Sequence, residues 1–304
     1  MRATVERPGG QHIAYELVGR HEAWRPWIVL ISGVGHDRSS WEPLLPALRR
    51  VARIVLVDNH GVGGSAPLRS QTTVADLAED VIAVLDDAGI ERVHVVGVSL
   101  GGMIAQEMAI EHPGRVGRLV LASTTPGWSD GYPFPFGNAL VLWRQILQPG
   151  AASRRSGIRY ALSPTTRKGQ PDLVERLTRE DVLPAPDPRS RMLQAAAGSR
   201  YSNRGRDRTI AAPTLVMHGT DDKVVDPRNA EVLVNNIPDA RLLWVPHAGH
   251  LIFWERPRLC ARELVRFLRP RIPSSSVAHL WRRLRASRLR SRRRPAARAA
   301  PRAG

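Results

Sequence analysis

A serine at position 99 stands between Gly97 and Gly101 in the stretch HVVGVSLGG, where an apolar β-forming run gives way to helix-forming residues. The G-x-S-x-G spacing has a steric cause. A strand that turns sharply into a helix strains the backbone at the turn, and only small residues two before and two after avoid the neighbouring chain. The turn presents the hydroxyl at the carboxyl end of its strand, where parallel α/β sheets gather their ligands. A serine hydroxyl is a weak nucleophile at neutral pH, so it needs a base and a carboxylate that orients the base. Two later stretches carry those residue types. PTLVMHGTDDKVVDP (213–227) ends a strand-like run with Asp221 and Asp222, and LLWVPHAGHLIFWERP (242–257) ends another with His247 and His250.

The elements that would position these groups follow from periodicity. Apolar, β-rich runs recur at 12–18, 27–32, 53–58, 93–98, 117–122, 213–218 and 240–245, and the N-terminal residues alternate like two short strands. Residues 73–89 place Val74, Leu77, Ala78, Val81, Ile82 and Leu85 at helical spacing, with Gly89 as a stop. Strands alternating with helices predict an α/β protein with a mostly parallel, doubly wound sheet. The alternation fails between 126 and 209, where Pro, Gly and Arg are frequent, and this segment reads as an inserted helical cap lobe. The expected organisation is therefore a core made of 1–125 and 210–270, a cap at 126–209 and an Arg-rich tail at 271–304.

A chain of 304 residues at 42% hydrophobic composition can bury a sizeable core. Its apolar runs are far shorter than the roughly 20 residues of a membrane-spanning helix, and no secretory h-region opens it, so the expected compartment is the cytoplasm. The single cysteine, Cys260, cannot form an internal disulfide and reads as a small buried hydrophobe on the last core helix. Of the net charge of +17, eleven arginines with no acid between 271 and 304 account for all but +6. No aromatic platform or nucleic-acid-binding motif accompanies that charge, so nucleic acid is not an expected partner. In the tail, Val277, Leu280, Trp281 and Leu284 form an apolar stripe at helical spacing. A basic amphipathic segment over 277–294 could touch an anionic membrane surface, with plain disorder the competing reading.

The order of the motifs GVSLGG, HGTDDKVV and GHLIFWERP, with DNHGVGGS upstream at 58–65, resembles the α/β-hydrolase fold family over roughly residues 10 to 270. The resemblance implies Ser99 as nucleophile and His250 as general base and then general acid. It implies Asp222, three residues after Gly219 and just before Val224 and Val225, as the orienting carboxylate in preference to Asp221; Asp130 is a further candidate. Nucleophile, acid, histidine is the family's chain order. The oxyanion donors it implies are the backbone N–H groups of Leu100 and of Val34, in ISGVGHDRSSW. Ser32 stands before Gly33 where a histidine is frequent in the family.

The activity so implied is hydrolysis of carboxylic esters or lactones through an acyl-enzyme, without cofactor or metal. A serine at position 99 excludes the branches with an aspartate nucleophile. Carboxylesterases and lipases, enol-lactonases, polyhydroxyalkanoate depolymerases, cofactor-free haloperoxidases or perhydrolases, C–C bond hydrolases and proline iminopeptidases stay open, as does a receptor-like binding protein that retains the triad. His247 and His250 lack the accompanying ligands of a metal site. DNHGVGGS lacks the Lys-Ser/Thr of a P-loop. His36 and His60 read as solvated loop histidines flanking the site. Trp128, Phe134, Phe136 and Trp143, with Tyr132 beside them, suggest a surface for an apolar acyl or alkyl group of a small-molecule substrate.

Overall fold

The β-branched runs WIVLI and RIVLV, apolar on both alternating faces, form adjacent central strands, as expected of a parallel sheet covered on both sides. The structure, a computed structural model, describes residues 1–19, 22, 24–133, 150–179, 181–184 and 187–269. Phe134, Phe136, Trp143 and the tail stretch 277–294 lie outside the described residues. Met1–Leu268 make one compact unit.

The strands are β1 (Arg2–Arg7), β2 (Gln11–Val18), β3 (Trp27–Ile31), β4 (Arg53–Val57), β5 (Val93–Val98), β6 (Val116–Ala122), β7 (Thr214–Gly219) and β8 (Ala240–Val245). They form one eight-stranded sheet in the order β1-β2-β4-β3-β5-β6-β7-β8. β1 and β2 run antiparallel at one edge, and β3 to β8 are parallel. Each parallel strand sends alternate residues to opposite faces. Val29, Ile31, Val55, Val57, Val95 and Leu121 pack under α2 (Val74–Asp87), α3 (Leu100–Glu111) and α8 (Arg228–Asn236). Ile28, Leu30, Ile54, Leu56, Val96 and Met217 pack under α1 (Leu45–Leu48) and α10 (Pro257–Leu268). Cys260 is fully buried in that second layer, and burial pushes its thiol up to about 12.

The predicted helix over 73–89 is observed as α2. Thr73 and Asp76 close a reciprocal capping box at its start, with bonds of 2.8 and 3.1 Å, and Gly89 leaves it at φ +65°. Between β6 and β7 the chain forms α4 (Ala151–Ala161), α5 (Pro164–Gly169), α6 (Pro171–Thr178) and α7 (Pro188–Arg200). Ile158, Leu162, Val174, Leu177 and Leu183 pack there with Trp254 of α9 (Ile252–Glu255) as a satellite core. No helix among the described residues is long and apolar enough to cross a membrane.

Candidate active site

Ser99 sits between β5 and α3 with φ 56° and ψ −120°, a conformation that costs a non-glycine residue on the order of 1–3 kcal/mol. Its surroundings hold it there. Its N–H donates to the Ala122 carbonyl at 2.9 Å, and its own carbonyl accepts from Thr124 Oγ1 at 2.7 Å. The flanking glycines are needed for space: a Cβ on Gly97 would lie 2.1 Å from the Gly101 oxygen, and one on Gly101 2.1 Å from the Ile31 oxygen. α3 can therefore start directly against the strand. The N–H groups of its first turn, Leu100 among them, have no carbonyl four residues back to bond.

The loop after β3 approaches Ser99 from the side. A Cβ on Gly33 would meet Ser99 Cβ at 3.1 Å, so backbone rather than side chain faces the hydroxyl. His36 N–H donates to the Gly33 carbonyl at 3.2 Å, and Gly35 has φ +71°. These are the marks of a type II turn with Val34 and Gly35 at its centre. Ser32 anchors the start of the loop. Its hydroxyl donates to the Asp37 carbonyl at 3.0 Å and accepts from Trp41 Nε1 at 2.9 Å, while its carbonyl accepts from Asn59 Nδ2 at 2.9 Å.

Asp222 and His250 come from the loops after β7 and β8. His250 Nδ1 lies 2.8 Å from Asp222 Oδ2, the geometry of a base held by a carboxylate. Asp222 Oδ1 accepts from the N–H groups of Val224 and Val225 at 2.8 and 3.0 Å. Burial alone would raise the pKa of this carboxyl; His250 and His218 outweigh it and hold the group well below the usual carboxylate range. Asp221 turns elsewhere: its side chain accepts from Thr220 Oγ1 at 3.1 Å. Asp130 accepts from Ser129 and from the Arg204 N–H at 3.1 Å each, and from the Ser202 hydroxyl, as a loop-former.

The loop carrying His250 is clamped by Glu255, a buried carboxylate that sequence reasoning did not single out. It accepts from Gly249 N–H at 2.8 Å and from Ser163 N–H at 2.9 Å, while His250 N–H donates to the Ala161 carbonyl at 2.7 Å. The end of α4 and the histidine loop are thereby joined. His218 was also missed as a site residue. It is fully buried, and its Nε2 lies 3.1 Å from Asp222 Oδ2.

His60 departs from the expectation of a solvated loop residue. It is buried, with Nδ1 3.4 Å from Asp80 Oδ2, because the loop folds under α7. His36 is only partly exposed. Burial lowers its pKa to about 4 against the opposing pull of Asp37, and the charges of His250, Arg154 and Arg191 lower it further. Trp128 is partly buried, with its indole N–H donating to the Gly198 carbonyl at 2.9 Å. Tyr132 stacks with the Arg228 guanidinium, 3.9 Å from the ring centroid. A cavity of about 580 Å³ lined by Gly19, Arg25, Arg49 and Arg50 opens at the amino ends of β3 and β4, the end of the sheet opposite Ser99.

Comparison with known proteins agrees with this architecture. The family model for the alpha/beta hydrolase fold matches residues 26–257. A protein of Caulobacter sp. (strain K31), named as a candidate carbamate hydrolase, RutD, is 30% identical over 245 residues, covering 78% of this chain and 88% of its own. The crystal structure of a hydrolase from Pseudomonas aeruginosa PA01 matches with a TM-score of 0.76 at 30% identity, over 88% of this chain and 98% of that one. Est816, described as an N-acyl homoserine lactone degrading enzyme, matches with a TM-score of 0.74 at 25% identity, over 87% of this chain and all of its own (100%).

Proposed function

The chain belongs to the alpha/beta hydrolase fold family, and from that premise we propose that it is a serine hydrolase cleaving carboxylic esters or lactones through an acyl-enzyme. The observation that carries the reading is the 2.8 Å contact between His250 Nδ1 and Asp222 Oδ2, at the same edge of the sheet as the strained Ser99 turn. The similarity to a lactone-degrading structure supports the substrate class.

In this reading Asp222 accepts the Nδ1–H of His250, which leaves Nε2 with a lone pair for the Ser99 proton. The Ser99 oxygen adds to the carbonyl carbon as His250 takes that proton. Negative charge develops on the carbonyl oxygen, which the N–H groups of Val34 and Leu100 stabilise; one such donor is worth about 3–4 kcal/mol in the transition state. The tetrahedral intermediate collapses, the alkoxide leaves with the proton held by His250, and an acyl-Ser99 ester remains. Water then repeats the sequence, giving its proton to His250, and Ser99 regains its own as the acid departs. Segment 126–209 acts as a cap, with Trp128 on the side of the apolar acyl or alkyl group.

A second reading is favoured by the name of the Caulobacter relative: a carbamate as substrate. The same attack would give a carbamoyl-Ser99, whose carbonyl is less electrophilic because nitrogen donates into it. A panel of p-nitrophenyl esters of graded acyl length, lactones with and without an N-acyl chain, and a simple carbamate separates the readings. The proposal expects turnover of an ester or lactone that disappears in Ser99→Ala. Fastest turnover of the carbamate selects the second reading. Peroxide-dependent halogenation without hydrolysis, or ligand binding without turnover, overturns both.

A further inference from the structure

α7 lies on the loops of the candidate site through an unusual face. Its buried positions are Ser190, Gln194, Ala197 and Gly198, spaced four, three and one apart along one side of the helix. Small and polar side chains give such a face little hydrophobic drive, so its contacts are of another kind. Ser190 Oγ accepts from the Leu68 N–H at 3.0 Å, and a Cβ on Gly61 would come within 2.7 Å of Ser190 Cβ. At the other end, Gly198 passes close to Leu100: a Cβ there would lie 3.4 Å from Leu100 Cδ1.

Gln194, fully buried, lies between these contacts. Its Oε1 accepts from the Gly35 N–H at 2.8 Å, and its Nε2 donates to the His60 carbonyl at 2.7 Å. One amide therefore joins the loop after β3 to the loop after β4, and does so from a helix inserted between β6 and β7. The Gly35 N–H has particular weight. It belongs to the central peptide of the Gly33–His36 turn, whose rotation interconverts type II and type I turns. The Val34 N–H belongs to the preceding peptide, which such a rotation leaves nearly in place, so what the bond from Gly35 to Gln194 fixes is the position of the turn that presents this N–H.

We propose that Gln194 is a positioning residue: by tethering the Gly33–His36 turn through the Gly35 N–H, it keeps the turn, and with it the Val34 N–H, in place where the oxyanion of the reaction forms. The inference rests on the hydrolase reading for its consequence in catalysis, and on the hydrogen bonds alone for the turn. Its meaning for specificity is that the inserted segment does more than cover the site. Anything that shifts α7, a bulky substrate included, is transmitted to an oxyanion donor through one side chain.

The test uses the full chain carrying Gln194→Leu, which keeps the volume and removes both bonds. Amide exchange at Gly35, followed by NMR, is expected to rise by about an order of magnitude or more while the amides of the central strands keep their protection. On an ester substrate kcat is expected to fall by about 10- to 100-fold, with KM within about twofold, since the lost interaction acts on the transition state. Gln194→Asn, one methylene shorter and still polar, serves if the leucine variant does not fold, and is expected to show both changes in smaller measure. Met192→Ala, at an exposed position of the same helix, is the control for general loosening of α7. Unchanged exchange at Gly35, or unchanged kcat, in a folded Gln194 variant overturns the proposal. A wild-type protein that hydrolyses no ester, lactone or carbamate overturns the hydrolase reading instead, and the exchange at Gly35 then decides alone whether Gln194 holds the turn.

Discussion

His218 and His250 converge on a single oxygen: Nε2 of the one and Nδ1 of the other lie 3.1 and 2.8 Å from Asp222 Oδ2. With Val224 and Val225 N–H on Oδ1, the carboxylate of Asp222 is surrounded by donors in a site without exposure of its side chain. A neutral amide in its place would offer an N–H to one of these donors and unseat the tautomer of His250. Asp222→Asn is therefore expected to lower kcat by about 10⁴-fold. Asp221→Asn, changing a carboxylate that faces Thr220, is expected to leave kcat within a few-fold of wild type. Steady-state kinetics of the two variants check the assignment, and a larger loss in the Asp221 variant would reverse it.

The second histidine has its own consequence. His218 Nε2 faces two acceptors, Asp222 Oδ2 and, at 3.3 Å, the Val225 carbonyl, so it carries the proton and donates. Removing that donor takes away one of the hydrogen bonds that hold Asp222 ionised and in place. His218→Leu is expected to lower kcat by about 10-fold, a smaller loss than in Asp222→Asn. An unchanged kcat would assign His218 a packing role only.

The close approach at the Ser99 turn can be tested by stability. Gly101→Ala would force a Cβ to within 2.1 Å of a backbone oxygen, whereas Gly114 has nothing within 4 Å of its Cβ position. The Gly101 variant is expected to lose about 1–3 kcal/mol or more in denaturant unfolding. The Gly114 variant is expected to stay near wild type. Equal losses would contradict the packing described for the strand and helix that flank Ser99.

Acid stability has a defined source outside the site. Burial lowers the His94 pKa from the ordinary 6.5 to about 4, helped by the charges of Arg118 and Arg92. The unfolded chain thus binds a proton that the folded one refuses, so stability is expected to fall as pH drops from about 6.5 toward 4, by at most about 3 kcal/mol from this group. His94→Gln is expected to flatten the dependence in that window, measured by urea unfolding at a series of pH values. Asp222, whose pKa is depressed, acts in a separate window: its contribution is complete above the ordinary carboxylate pKa of 3.8 and is lost only below it. A slope unchanged in His94→Gln would place the acid sensitivity elsewhere.

The parts of the molecule that sequence reading recovers are those with local causes. Strand runs such as 27–31 and 53–57 carry their burial in their composition, and the Ser99 turn carries its glycines two residues away on either side. Asp222 and Asp221 are adjacent and chemically alike, and ordering them needed the likeness to a family. Gln194, Glu255 and His218 left no comparable trace. Gln194 bonds a backbone N–H 159 residues away, and the face of α7 it belongs to, Ser190, Gln194, Ala197 and Gly198, has no apolar period to mark it as buried. Glu255 and His218 lie within motifs that were quoted for their neighbours; the Ser163 N–H that Glu255 accepts from is 92 residues away, and the turn after β7 that brings Asp222 back onto His218 is not written in residue type. His60 was misread for the same reason: its burial comes from α7, a helix far along the chain.

Covalent labelling decides whether Ser99 is the nucleophile of the proposed hydrolase. Incubation of the full chain with a fluorophosphonate, followed by intact mass and peptide mapping, is expected to give a single adduct on Ser99. The adduct is expected to be absent in Ser99→Ala and much slower to form in Asp222→Asn. No adduct on a folded wild-type protein, or an adduct on another residue with ester turnover intact in Ser99→Ala, would contradict that role.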